Sequence, residues 1–235
     1  MRPPRSPAAR RVLALWDDAP FGDRFHTVMR WWTAPFAVLE HEVPLAGDIL
    51  EVGCGHGVFS TYLAITSRAR RVVGVDIDAD KIALARAAAD RLDAGEGDVS
   101  FQVSPSGEVP TIDGGWRAIV FADVLYLLPR QRREALLAEC AAALAPGGLL
   151  VVKEVDTVPP VKAKLAQWQE VLATRVLKIT DGEALDFPSS AELEGVVAGL
   201  GLSTMAKHID RGYLHPHCVV LGTRPADEPA DLRAD

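Results

Sequence analysis

The chain is poor in the residues that build disulfide scaffolds or metal centres. Its 235 residues include only three cysteines, Cys54, Cys140 and Cys218, which lie far apart in the sequence. An odd number without metal-type spacing argues against a disulfide framework or a zinc site and for a reducing compartment. His215 and His217 stand two apart with no evident third ligand, so no metal site is expected. No apolar run reaches the roughly 18 residues of a membrane span. The N-terminus has no apolar leader core, and the expectation is a soluble cytoplasmic protein. The net charge is -7, a poor match for a polyphosphate backbone, and outside the first eleven residues there is no basic patch around the expected cleft, so no nucleic-acid partner is expected. There is no internal repeat.

What is present suits one globular domain, with 49% hydrophobic and 24% charged residues. Residues 1–22 begin with Arg2, Arg5, Arg10 and Arg11 among prolines and read as a flexible basic arm. Residues 23–46 carry Phe25, Val28, Met29, Trp32, Phe36 and Leu39 at helical spacing, broken by Pro35, and read as a helical cap or lid. His26 and Arg30 share one face of it.

From residue 47 to 224 strands and helices alternate with short connections, the pattern of a parallel sheet covered on both faces. Strands are expected at 48–53, 71–76, 99–104, 116–123 and 149–155, followed by 202–210 and 217–223. Residues 157–188 interrupt the alternation with a helical face of Val161, Leu165, Trp168, Leu172 and Val176, an insertion after the fifth strand. Residues 225–235 are acidic and read as a disordered tail.

Ligands of such sheets bind outside the carboxyl ends of the strands, beside the first. There the sequence reads Ile49-Leu-Glu-Val-Gly-Cys-Gly-His-Gly57, with Gly53, Gly55 and Gly57 at alternate positions. Glycine permits positive φ and a close approach of backbone to ligand. Asp76 ends the second strand, 23 positions after Gly53, where a carboxylate can accept both ribose hydroxyls. The third glycine comes one residue earlier than in the dinucleotide fingerprint. Glu51 ahead of the loop favours a ligand with a cationic end over a phosphate.

Three motifs in order, 51–57 (EVGCGHG), 72–78 (VVGVDID) and 144–149 (LAPGGL), closely resemble class I S-adenosylmethionine-dependent methyltransferases. The resemblance covers about residues 47 to 155. It implies an α/β, Rossmann-like, doubly wound seven-stranded sheet, mostly parallel with an antiparallel last strand, a helical N-terminal extension and the insertion noted above. It implies S-adenosylmethionine as cofactor. Gly53, Cys54, Gly55 and Gly57 would lie under its methionine part and Glu51 near its amino end. Asp76 would hold the ribose, Ile77 would pack on adenine, and Asp123 and Val124 would flank the methionine part. The family's adenine-binding acid falls at Pro105, a departure that leaves Ser104 or Ser106 as substitutes.

Methyl transfer from a sulfonium needs chiefly alignment and exclusion of water. A base is required only where the acceptor must lose a proton. The [Asp/Asn]-Pro-Pro-aromatic motif of amine methylases is absent, its place reading Ala122-Asp-Val-Leu-Tyr126. The expected reaction is therefore methylation of oxygen or carbon on a small or carrier-held metabolite. Glu154, Tyr126, Asp156 and His26 are the catalytic candidates. Arg30, Trp168, Tyr213, His215 and His217 complete the expected pocket. The expected partner is a small-molecule acceptor, and a homodimer is compatible with the sequence. Two other readings stay open: a protein that binds the cofactor without methylating, and a nicotinamide-dependent oxidoreductase, which the glycine spacing disfavours.

Overall fold

A computed structural model describes residues 4–156 and 187–227. The expected insertion helix with Trp168 falls outside these residues, as does the end of the tail. Seven strands form one sheet: β1 (Gly47–Val52), β2 (Arg70–Asp76), β3 (Asp98–Val103), β4 (Trp116–Ala122), β5 (Leu144–Val155), β6 (Ser203–His208) and β7 (His217–Thr223). Their order is β3-β2-β1-β4-β5-β7-β6. The first five are parallel, and β7 runs antiparallel to both β5 and β6. The order reverses between β1 and β4, so a crevice opens at their carboxyl ends.

Strand alternation sends side chains to two cores. One layer, with Ile49, Val72, Ala118, Val120, Val151 and Val219, packs under α1 (Pro7–Ala14), α2 (Phe21–Thr33), α3 (Phe36–Leu39) and α4 (Val58–Thr66). Ile82 and Ala85 of α5 (Ala79–Ala89) close on Phe101 and Cys54 beside it. The other layer, with Leu50, Val73, Ile119, Phe121, Leu150 and Val152, packs against α6 (Arg130–Ala143) and α7 (Ser190–Gly199). Continuous apolar strands such as 118–122 are what a sheet buried on both faces requires.

The N-terminal segment differs from its reading as a flexible arm. Pro7 opens α1 at the position where a missing N–H costs nothing, and Ser6 caps it by accepting the Ala9 N–H at 3.1 Å. Ala9, Val12, Leu15 and Trp16 are buried, and Arg11 pairs through two nitrogens with Glu96 at 2.7 and 2.8 Å. The arginines and prolines drew attention from an apolar stripe at spacing three. Pro35 does split the next element, separating α2 from α3. The inward face of α2 is not the expected one, however. Thr27 and Trp31 are buried, while Phe25 is 58% exposed. The face with Asp23, Thr27 and Arg30 turns towards the strand ends, where polar partners wait.

Candidate functional site

The loop after β1 folds back over β2. The Gly53 and Cys54 N–H groups both donate to the Val75 carbonyl, at 2.8 and 3.0 Å. All three loop glycines have positive φ, between 53° and 74°. Their surroundings differ. A Cβ on Gly53 would stand 2.6 Å from Val124, and one on Gly57 would stand 2.4 Å from Phe101. A Cβ on Gly55 would meet nothing within 4 Å. The loop is therefore packed tightly from beneath at both ends and open at its middle, the shape of a cradle.

The Gly55 N–H donates to Asp76 Oδ2 at 2.8 Å, and the Asp78 N–H donates to Asp76 Oδ1 at 2.9 Å. Loop and carboxylate are thus fixed to each other, and each carboxylate oxygen retains acceptor capacity. Ile77 beside it is 66% exposed. Glu51 lies beneath the loop, fully buried, and accepts the Ser60 hydroxyl proton. Burial pushes its carboxyl up to about 7, only partly offset by Ser60 and Arg30. A buried acid in that state gains from a cation brought beside it.

A second polar group occupies the ends of β4, β5 and β7. Asp123 follows β4 with φ of 57°, the sole non-glycine residue with positive φ among the described residues. Its carboxylate accepts from Lys153 Nζ through both oxygens and from Arg30 Nη1 at 2.6 Å. Arg30 Nη2 also donates to the Ala122 carbonyl at 2.7 Å. Burial alone would raise the Asp123 carboxyl, but Lys153 and Arg30 outweigh it and hold it below the ordinary range. Lys153 has no exposed surface, and burial lowers its ammonium against the pull of Asp123. From the opposite face, Glu154 Oε1 accepts the Val124 and Leu125 N–H groups at 3.0 and 2.7 Å. Burial, then Asp123, push the Glu154 carboxyl up to about 8. Glu154 Oε2 is buried without a partner.

A family model described as a methyltransferase domain matches residues 49–148, from β1 into β5. The fold matches solved methyltransferases, among them the magnesium protoporphyrin IX methyltransferase of Synechocystis PCC 6803 with bound SAH. The TM-score there is 0.61 at 16% identity, covering 92% of this chain and 93% of that one. Residues 49–148 are thus a methyltransferase domain, set in the fold of S-adenosylmethionine-dependent methyltransferases. Among curated proteins the chain is 30% identical over 139 residues to a fatty-acid O-methyltransferase of Mycolicibacterium smegmatis, covering 59% of this chain and 47% of that protein. It is also 30% identical over 172 residues to a trans-aconitate 2-methyltransferase of Paracidovorax citrulli, covering 63% and 60%. The chain spans about half the length of the curated relatives it matches.

In this chain the expected site residues are distributed as follows. Glu51, Gly53, Gly55, Gly57 and Asp76 converge on the crevice. Cys54 packs inward, its sulfur 2.9 Å from where a Cβ of Gly74 would lie, and burial holds its thiol well above the ordinary range. Ser104 donates its hydroxyl to the Glu108 carbonyl at 3.0 Å. The turn with Ser106 is held by Arg132, which donates to the Gly107 carbonyl at 3.0 Å. Asp156 receives the Ser190 hydroxyl proton at 2.7 Å and so ties the end of β5 to α7. Tyr126 is buried, with its ring stacked 4.9 Å from that of Phe187. His26 is exposed, its ring 4.9 Å from His56, and Asp23 reaches His56 Nε2 at 3.1 Å. Ser60, Lys153, Asp23 and Thr27 escaped the sequence reading. A lysine inside the apolar run 149–155 (LLVVKEV) was the available signal, because a buried cation demands a partner.

Proposed function

We propose that this methyltransferase transfers the methyl group of S-adenosylmethionine to an oxygen or carbon of a small or carrier-held metabolite. The observation that carries the reading is the open cradle at Gly55, walled by Asp76 and floored by the buried acid Glu51. Glu51 meets the amino end of the cofactor, whose positive charge returns its carboxyl to the ionised form. The Asp76 oxygens accept the ribose hydroxyls, and exposed Ile77 packs on the adenine. Where an adenine-binding acid is missing, Ser106 offers its backbone and hydroxyl, while Ser104, whose N–H and hydroxyl donate to the Asp76 and Glu108 carbonyls, offers only the lone pairs of its hydroxyl oxygen. The loop from Gly53 to Gly57 and the turn with Asp123 and Val124 enclose the methionine part.

The bound cofactor supplies a methyl group already activated on a sulfonium. The chain's task is to align the acceptor with that methyl and to keep water out. Glu154 serves as a positioning residue here. It holds the two N–H groups of the turn that carries Asp123, and through Val124 that turn presses on Gly53. Tyr126 stiffens the same turn. Asp156 anchors the far wall, and His26 stands at the mouth beside the loop. The names of two relatives, a fatty-acid O-methyltransferase and a trans-aconitate 2-methyltransferase, favour a small acceptor.

The test is transfer of labelled methyl from S-adenosylmethionine to panels of small hydroxy compounds and organic acids, with protein and nucleic acid as comparison panels. Label in a small product supports the reading. Label only in protein or nucleic acid overturns it.

A further inference from the structure

The inner end of β7 holds a polar atom that the reaction as described leaves unused. His217 is buried, 2% exposed, and its Nε2 lies 2.9 Å from the Thr33 carbonyl at the end of α2. A carbonyl only accepts, so Nε2 carries the proton, and the neutral ring must present a lone pair at Nδ1. That Nδ1 is buried and has no hydrogen-bond partner. Most buried polar atoms are paired, and one left unpaired requires an explanation.

Its position supplies one. Val219 and Val151 lie in the core layer under α2. Alternation by two therefore puts His217 and Lys153 on that same face, which also takes Glu51, two residues after Ile49. The sheet order from the cradle outward is β1, β4, β5, β7. Three strand spacings make about 14 Å across the sheet, and the register sets His217 four residues further along than Glu51, so the two stand about 19 Å apart, room for a methionine arm and a small acceptor end to end. Around the ring stand Lys153 and Asp123 on the sheet, Thr33 of α2, and the rings of His215 at 6.0 Å and Tyr213 at 5.6 Å.

We propose that Nδ1 of His217 receives a hydroxyl of the methyl acceptor, so that this subsite selects acceptors that keep an O–H over those that are already anionic. The proposal rests on the methyl-transfer reading. A lone pair repels a carboxylate or phenolate oxygen and attracts a donor. The nearby cations do not reverse this preference, because Asp123 already engages both Lys153 and Arg30. Burial, followed by Lys153, holds the imidazole well below its ordinary range, so it stays neutral and keeps the lone pair at physiological pH.

Two substitutions separate this role from simple support of α2. His217→Gln places an amide near Nε2 and can still donate to Thr33, but it removes the acceptor at Nδ1. His217→Asn does the reverse. Calorimetry at about pH 5.5, where p-nitrophenol keeps its O–H and the His217 ring stays neutral, uses the S-adenosylhomocysteine complex of each protein, with p-nitrophenol, p-nitroanisole and p-nitrobenzoate as probes. For the wild type we expect p-nitrophenol to bind at least about tenfold tighter than p-nitroanisole or p-nitrobenzoate, the effect of one buried hydrogen bond. The preference should persist in His217→Asn and vanish in His217→Gln. In ring-labelled protein, the 15N resonance of Nδ1 should move on adding p-nitrophenol and not on adding p-nitroanisole. Loss of the preference in Asn but not in Gln, equal binding of the three probes, or an Nδ1 resonance that no hydroxyl probe shifts would overturn the proposal. Failure of the wild type to bind S-adenosylhomocysteine would instead overturn the methyl-transfer reading.

Discussion

Two carboxyl groups at the strand ends are held by burial above the ordinary carboxylate range, Glu51 at about 7 and Glu154 at about 8. Between pH 4.5 and these values the folded protein binds more protons than the unfolded chain. Their contribution to stability is therefore complete in acid and is lost as pH rises through 7 and 8. The ligand-free protein should melt lower at pH 8.5 than at pH 6. Glu154→Gln keeps an acceptor for the Val124 and Leu125 N–H groups but cannot ionise. Its melting temperature should fall less over the same interval, by roughly 3 °C or more. Parallel melting curves for the two proteins would refute the assignment. Glu51→Gln leaves the cofactor's cationic end without its counter-charge and should weaken S-adenosylhomocysteine binding by about tenfold, measured by calorimetry. Glu51 was legible in the sequence because it precedes three spaced glycines. The role of Glu154 was not, since its strand position suggested proximity to the methyl donor and only the fold shows its carboxyl under the Asp123 turn.

At the scale of elements, α2 is clasped to the site at three levels. Asp23 holds His56 of the glycine loop, Arg30 holds Asp123 and the Ala122 carbonyl, and the Thr33 carbonyl receives His217. The helix periodicity was readable, and so was the break at Pro35. Which face turned inward was not. The apolar stripe with Phe25 and Trp32 predicted one rotation, and ion pairing to residues some 90 positions away imposed another. Arg30→Ala removes one cation from Asp123 and leaves that carboxylate buried with Lys153 alone. Breaking one member of a buried ionic group costs about 3–5 kcal/mol, and Arg30, whose side chain is 27% exposed, should cost less than that. The expected result is faster amide hydrogen exchange across 21–33 with the sheet amides unchanged. Equal slowing or quickening across the whole sheet would show that α2 is not a separate unit held by this clasp.

On the scale of the whole molecule, a parallel sheet was legible in the alternating strands and helices with short links, and the family motifs implied its seven strands with the last antiparallel. The N-terminal helix α1 was hidden by its arginines and prolines, which dominate composition while Ala9, Val12, Leu15 and Trp16 do the packing. The central claim is that the crevice at the reversal binds S-adenosylmethionine. Asp76 beside that crevice accepts from the Gly55 and Asp78 N–H groups, and on the proposed reading its oxygens also take the ribose hydroxyls. The most direct test is calorimetry of S-adenosylmethionine and S-adenosylhomocysteine with the wild type and Asp76→Ala, with NAD as comparison. The account predicts one site for each sulfur ligand, no heat with NAD, and at least about tenfold weaker binding in the variant, or 1.4 kcal/mol. Absence of binding of either sulfur ligand at about millimolar concentration, or unchanged affinity in the variant, would contradict it.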